Sequence, residues 1–498
     1  MRHIISVDIG TTHCKAITVN ENAVVSHIFK AEVESLKPKP GYHEQDAEKV
    51  FETVLALLQQ SLLANQTNEI VAISFSAAMH GLMAVDISGK PLTNIYTWAD
   101  TRAATHAANL KASDTSKVIF EKSGTPIHPM TPLCKLLWMK QELPHIFYAA
   151  HKFISIKEYI FFRLFGKFII DHSIASGTGL FDNYNLCWLN KSLQLAGIDV
   201  SKLSTPVSCK HSETDLLPAF QQKLNVKKSI PFIIGASDGC LANIGSGAVL
   251  PGEVALTIGT SGAVRMTTNL QTSDPKKRLF TYLLSEKTFI TGGPTNNGGI
   301  ALQWFAESFL KHTGTMNEKV AAVLQLATQT NAGAEKLLFL PYLQGERAPI
   351  WNANAKACFF GINNLHTTKH FARAVLEGIC FALKNVLIAL EESNGACNKI
   401  YISGGFIDSS FWVQLLADIL NKELVVSNVT DASAMGAAFI AMQYLGIIKQ
   451  EADIKAFISE EKIITPTIEN KQLYTQLFSL FQSLTEILKN SFATLEAI

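Results

Sequence analysis

VDIGTTHCKAIT, Val7 to Thr18, joins two apolar runs through Gly-Thr-Thr and places an acid, Asp8, at the end of the first. Asp is poor in strands and costly to bury without a partner. Either the turn simply needs Asp and Gly, or the carboxylate serves something bound there. Outward from this turn, IISVDI, KAITV and AVVSHIF read as three short strands in a meander. HEQDAEKVFETVLALLQQSLLA then sets Val50, Phe51, Val54, Leu55, Leu58 and Leu62 on one helical face, and EIVAISFS reads as a buried fourth strand.

The opening recurs in the second half. EVALTIGTSGAVRMTT (Glu253 to Thr268) is again strand, Gly-Thr-Ser turn, strand. KTFITGG supplies a third run, and GIALQWFAESFLKHT reads as a helix, with Ile300, Trp304, Phe305 and Phe309 near helical spacing. A tight turn favours Gly and Thr for its own reasons. The third strand and helix that follow both turns favour duplication of a whole domain. The two turns differ in charge, because the second carries no acid at the equivalent place. A chain of 498 residues is too long for one ordinary core. The boundary is placed in GSGAVLPGE, giving an N-terminal domain of residues 1–247 and a C-terminal domain of residues 248–498. Further on, NKIYISGGFIDSSFWVQLLADIL and KELVVS followed by DASAMGAAFIAMQYLG each read as strand, turn, helix. The segment after Gln450 is expected to be helical and amphipathic.

Composition narrows the class. Hydrophobic residues make up 47% and charged residues 17%, as in a globular protein with no disordered tract on this scale. Lys and Arg (43) balance Asp and Glu (42), so no global field draws the chain to nucleic acid or an anionic membrane. The eight cysteines are scattered without a C-x-x-C pair, which argues against zinc or a disulfide framework and suits reduced thiols. The first apolar run stops at Asp8, too short for a signal peptide. KFISIKEYIFFRLFGKFII carries five charges, which excludes a spanning helix. A soluble cytoplasmic protein is expected. Its oligomeric state is open, with a homodimer among the options.

Two strand-turn-strand hairpins, one per domain, would face each other across a cleft. Gly10 and Gly259 leave consecutive N–H groups unencumbered, beside the hydroxyls of Thr11, Thr12, Thr260 and Ser261. Such turns make anion-binding concavities, and two of them suit a polyphosphate. Asp8 is placed to hold a hydrated Mg²⁺ on it, since that ion needs only one or two carboxylates. Lys15 adds a positive charge. Neither a P-loop nor G-x-G-x-x-G occurs, since Leu250 stands where the third glycine of GSGAVL belongs. SGGF (Ser403 to Phe406) reads by itself first as an ordinary strand-to-helix turn, and second as a close backbone approach to an adenine or a phosphate. Asp238, in FIIGASDGC, reads either as a helix N-cap or as a general base.

Taken together, the segments resemble the FGGY carbohydrate kinases, in the actin-like superfamily of ATP-using folds. The resemblance spans nearly the whole chain: DIGTTHCK, MTPLCKLLWMKQE against M-x-P-x-x-K-L-x-W, GASDGC, TIGTSG, PYLQGERAPIWNANAKACFFGI and SGGF, in the family's order. It implies an α/β fold of two actin-like (ribonuclease H-like) domains with a deep interdomain cleft. By position it implies Asp8 near Mg²⁺ and Thr11, Thr12, Lys15, Gly259 and Thr260 at ATP phosphates. Gly298, Gly299, Gly404 and Gly405 match positions around the nucleotide, and Asp238 matches the catalytic base and a substrate contact. SAAMHGLMAVD and TWADTRA are similar to segments of the family's xylulose and gluconate kinases, where glycerol kinases show an Arg-Glu pair. Met79, His80, Trp98, Asp100 and Arg102 are thereby implied as sugar contacts, with Arg102 as the partner of a substrate carboxylate. One departure is that Asn352 and Lys356-Ala357 stand where the family often has Asp and Arg-Gly.

The resemblance implies transfer of the ATP γ-phosphoryl group to a hydroxyl of a small sugar or sugar acid. WADTRA and GERAPIWNANA are closer to gluconate kinases, which convert D-gluconate to 6-phosphogluconate, than to xylulose kinases. A different class, actin-like ATPases or sugar sensors, would lack a base beside a sugar pocket.

Overall fold

Alternation along the first strand already assigns its two faces. In β1 (Arg2–Ile9), Ile5, Val7 and Ile9 join the core cluster that contains helix α1 (Ala47–Ala64), while Ile4, Ser6 and Asp8 point to the opposite face. The computed structural model describes residues 1–498 except 227–229, 272–273, 311–312, 430 and 498. β1 pairs antiparallel with β2 (His13–Asn20), which pairs antiparallel with β3 (Val25–Glu32). On its other side β1 runs parallel to β4 (Glu69–Ala77). The short β5 (Ser212–Glu213) closes the edge, antiparallel to β6 (Phe232–Ser237), which is parallel to β4. The order is β5-β6-β4-β1-β2-β3. Helix α1 starts where Asp46 accepts from the N–H groups of Glu48 and Lys49. It buries Val50, Phe51, Val54, Leu55 and Leu58 as expected.

Helix α2 (Pro132–Glu142) opens on Thr131 as cap with proline in its first turn. Helix α3 (Asp238–Gly245) follows β6 directly. The second sheet repeats the plan of the first. Strand β7 (Glu253–Ile258) pairs antiparallel with β8 (Gly262–Thr268). The hairpin β9 (Phe280–Ser285) and β10 (Thr288–Thr295) adds β10 to β8, antiparallel. Helix α4 (Gly299–Phe309) follows, so the helix expected through Thr313 ends earlier; positions 311–312 lie outside the described residues. Helix α5 (Thr368–Asn394) precedes β11 (Lys399–Ser403), which is parallel to β7. Helix α6 (Ser410–Leu420) leads to β12 (Leu424–Ser427), parallel to β11, and then to α7 (Ala432–Tyr444).

One expectation fails after Gln450. Glu460–Ile464 is not helical but forms β13, antiparallel to β12, before the amphipathic helix α8 (Lys471–Ile487). Four of the five β13 residues are exposed. An edge strand stabilised by backbone bonds to β12 leaves little hydrophobic signature. With it, the two sheets match strand for strand: β3-β2-β1-β4-β6-β5 against β10-β8-β7-β11-β12-β13, with β9 as an added edge. The correspondence reaches side chains. Asp8 lies opposite Ser76 in register and accepts its Oγ hydrogen bond at 2.6 Å. At the equivalent place Thr257 lies opposite Ser403, 3.1 Å between hydroxyls.

The equivalent helices α3 and α7 cross against each other. At Gly245 an added Cβ would lie 1.8 Å from the Ala432 carbonyl oxygen, and at Gly436 one would lie 2.1 Å from that of Leu241. Helix α7, from the second half of the chain, thus packs on the Asp8 face of the first sheet, where Ser6 Oγ donates to Ala434 O at 2.6 Å. The two halves share a core there.

Candidate active site

Asp8 ends β1 on the face toward α7, half-buried. Burial, then the nearby carboxylates of Asp431 and Asp238, push it up to about 7, against the hydrogen bond from Ser76 and the charge of Lys15. The two extra carboxylates arrive at the starts of α7 and α3. Asp431 caps α7 by accepting from Ala434 N–H, and it also takes Lys15 Nζ at 2.6 Å. The charge expected at a phosphate therefore forms an ion pair between the two halves of the chain.

At α3 the structure resolves the two readings of Asp238. Ser237 is the N-cap and accepts from Cys240 N–H. Asp238 is the first helical residue, and its carboxylate lines a cavity of about 340 Å³ together with Thr11, Met79, His80, Trp98 and Gly259. Burial raises the Asp238 pKa, while Arg265 and Lys157 oppose the rise. Lys157 sits beneath it, buried, paired with Asp171 at 2.6 Å and donating to Ile234 and Ala236 carbonyls.

The opposite wall is organised by Lys135 of α2. Its buried ammonium donates to three carbonyls, of His80 at 2.6 Å, Tyr96 at 2.9 Å and Thr97 at 2.7 Å. It ties the His80 and Trp98 segments together. His80 has φ +66°, a left-handed conformation uncommon outside glycine. Its Nδ1 faces Gly177 O at 2.8 Å, so Nδ1 carries the proton and Nε2 is left as acceptor, 3.4 Å from the Tyr282 hydroxyl. Trp98 Nε1 donates to Thr11 Oγ1 at 3.3 Å. Arg347 lies over the Trp98 ring, 4.8 Å from its centroid, and donates to Asn296 Oδ1 and Thr295 O.

Residues 3–245 match the N-terminal domain, and residues 254–444 the C-terminal domain, of the FGGY family of carbohydrate kinases. The chain belongs to that family. It is a carbohydrate kinase, and the family uses ATP. Gluconokinase from Bacillus subtilis (strain 168) is 36% identical over 496 residues, covering 98% of this chain and 97% of that protein. The solved structure of a ligand-bound xylulose kinase from Lactobacillus acidophilus superposes with a TM-score of 0.95 at 33% identity, over 99% of this chain and 100% of that one. Gluconate kinase from the same organism gives 0.94 at 33% identity, over 99% of both chains.

Of the expected residues, Thr11, Met79, His80, Trp98, Asp238 and Gly259 line the cavity of the kinase. Thr12, Gly259 and Thr260 are exposed at its mouth. A Cβ on Gly259 or Gly405 would meet nothing within 4 Å, so both backbones border open space. Gly298 and Gly299 have their N–H groups engaged by Thr260 O and Gly259 O, and they hold the second turn against α4. Asp100 and Arg102 lie away from the cavity. Arg102 is sandwiched between Tyr42 and Tyr96, 3.9 and 3.7 Å from the ring centroids, and bonds Asp100 and Glu44. Asp100 is fully buried and also accepts from His43 N–H. This pair is satisfied internally and fixes the loop that presents Trp98.

Arg265, Arg347, Lys135 and Asp431 are functional candidates that sequence reasoning passed over. Arg265 carried a signal, being a lone charge within the apolar strand AVRMT. In the loop where the sequence departs from the family, Glu346 and Asn352 exchange backbone hydrogen bonds. Buried Glu346 is raised to about 7 and accepts from Asn296 and Arg347 N–H groups.

Among the described residues no cluster of three or more His, Cys, Asp or Glu is arranged to hold a metal. Mg²⁺ carried by phosphates needs only one or two carboxylates from a protein. Asp8, hydrogen-bonded by Ser76 but short of cationic charge, fits that role. No described helix is long and apolar enough to cross a membrane.

Proposed function

We propose that the enzyme transfers the γ-phosphoryl group of ATP to the terminal hydroxyl of D-gluconate, giving 6-phosphogluconate, with Asp238 as general base. The observation that carries this is the Asp238 carboxylate: Ser237 takes the capping role, so Asp238 faces the cavity. Buried and poorly hydrated, it accepts the hydroxyl proton as the oxygen attacks phosphorus. Met79, His80 and Trp98 position the sugar, and His80 Nε2 is available to accept from a hydroxyl. Thr11, Thr12, Gly259 and Thr260 border the phosphates. Gly298 and Gly299 shape the second turn, while Gly404 and Gly405 face the nucleotide. Asp8 would hold Mg²⁺, which when bound would supply positive charge to the phosphoryl oxygens. Closure of the two halves on the sugar would exclude water that otherwise hydrolyses ATP.

Similarity to gluconokinases supports gluconate as the acceptor. A second reading, D-xylulose, is supported by the equally close likeness to a xylulose kinase structure. The deciding measurement is kcat/KM for each sugar under the same Mg-ATP concentration. A clear preference for D-xylulose would refute the gluconate reading, and ATP hydrolysis indifferent to either sugar would refute sugar phosphorylation.

A further inference from the structure

Arg265 stands two residues beyond Ala263 on β8, so both project from one face of the strand, and both line the cavity. Its Nη1 is buried and has no hydrogen-bond partner among the described residues. A buried guanidinium donor left unsatisfied is rare and costly. Arg347, the other guanidinium of the cavity, is already held through Nε and Nη2 by Asn296 and the Thr295 carbonyl. Asp238 lowers the cost of the Arg265 charge through space, but no hydrogen bond joins them.

The charge of the lining is equally informative. Two guanidinium groups face one carboxylate, Asp238, while His80 is held neutral by burial. Among the lining residues guanidinium groups outnumber carboxylates, in surroundings that include Met79, Met130 and Phe280. A monoanionic sugar acid offers Arg265 a charged partner that a neutral ketose lacks. A planar guanidinium fork also matches a carboxylate better than a hydroxyl.

We propose that Arg265 is the specificity-determining residue of the acceptor site and receives the carboxylate of an aldonate through its guanidinium group. This rests on the sugar-acid reading of the enzyme. Its test compares wild type with Arg265→Met and Arg265→Lys, using D-gluconate and D-xylulose, with turnover and calorimetric binding of each sugar measured together. Arg265→Met is expected to lower the gluconate-to-xylulose ratio of kcat/KM on the order of a hundredfold or more. The loss should lie mainly in KM and in gluconate affinity, with partial recovery in Arg265→Lys. A fall in kcat for both sugars alike, with gluconate affinity retained, would overturn the proposal and make Arg265 a positioning residue for Asp238. An unchanged ratio would also overturn it. A wild-type enzyme that neither binds nor phosphorylates gluconate refutes the sugar-acid reading itself, before any variant is made.

Discussion

Asp8 and Lys15 stand opposite each other in register across β1 and β2, yet Lys15 reaches past Asp8 to pair with Asp431 at 2.6 Å. Asp8 is left with the hydroxyl of Ser76 and with two carboxylates nearby. That carboxylate is the one we propose for Mg²⁺.

Asp8→Asn should therefore impair use of Mg-ATP and spare the sugar. We expect the Mg²⁺ concentration for half-maximal rate to rise on the order of tenfold or more. Sugar affinity, read by calorimetry without nucleotide, should stay near wild type. Equal losses in both would mark a folding defect instead.

Asp238→Asn removes the proton acceptor and retains shape. Turnover should fall on the order of a hundredfold or more. Because Ser237 caps α3, thermal stability should change little. Near-normal kcat would eliminate Asp238 as the base.

The α3–α7 crossing tolerates no side chain at its centre. Gly436→Ala drives a Cβ against the Leu241 carbonyl, 2.1 Å away in the native backbone. The cost should be about 1–3 kcal/mol or more, read from the urea midpoint. An unshifted midpoint would show that the contact is not maintained in solution.

His80 and His128 give the stability a defined acid limb. Burial lowers both to about 3, from an ordinary value near 6.5. Between those values these two rings bind more protons in the unfolded chain than in the folded one, so their contribution to stability falls as pH drops from 6.5 toward 3. His80→Asn should flatten that limb in urea titrations. Titration of the His80 ring near pH 6 in the folded enzyme, by NMR, would contradict the burial argument.

Local pattern alone carried the two Gly-Thr turns, the strands beside them, the α1 face and the order of motifs along the chain. Each rests on short-range rules: period-two alternation, 3.6-residue periodicity, and the demands of tight turns. The repeat of the turn also anticipated the matched strand orders of the two sheets. What contacts between distant residues decide was not legible in the same way. Arg102 and Asp100 look like substrate groups in TWADTRA, but Glu44, Tyr42 and Tyr96 enclose them. Arg265 shows in sequence only as a lone charge in a strand, and becomes a site residue because Asp238, 27 positions earlier, shares its cavity. Strand β13 exists because β12 offers it an open edge. The sequence by itself determined which elements form and which residues can do chemistry. Tertiary structure decided which of those residues were already satisfied by a neighbour, because a charge acts on substrate only when the fold has not already paired it.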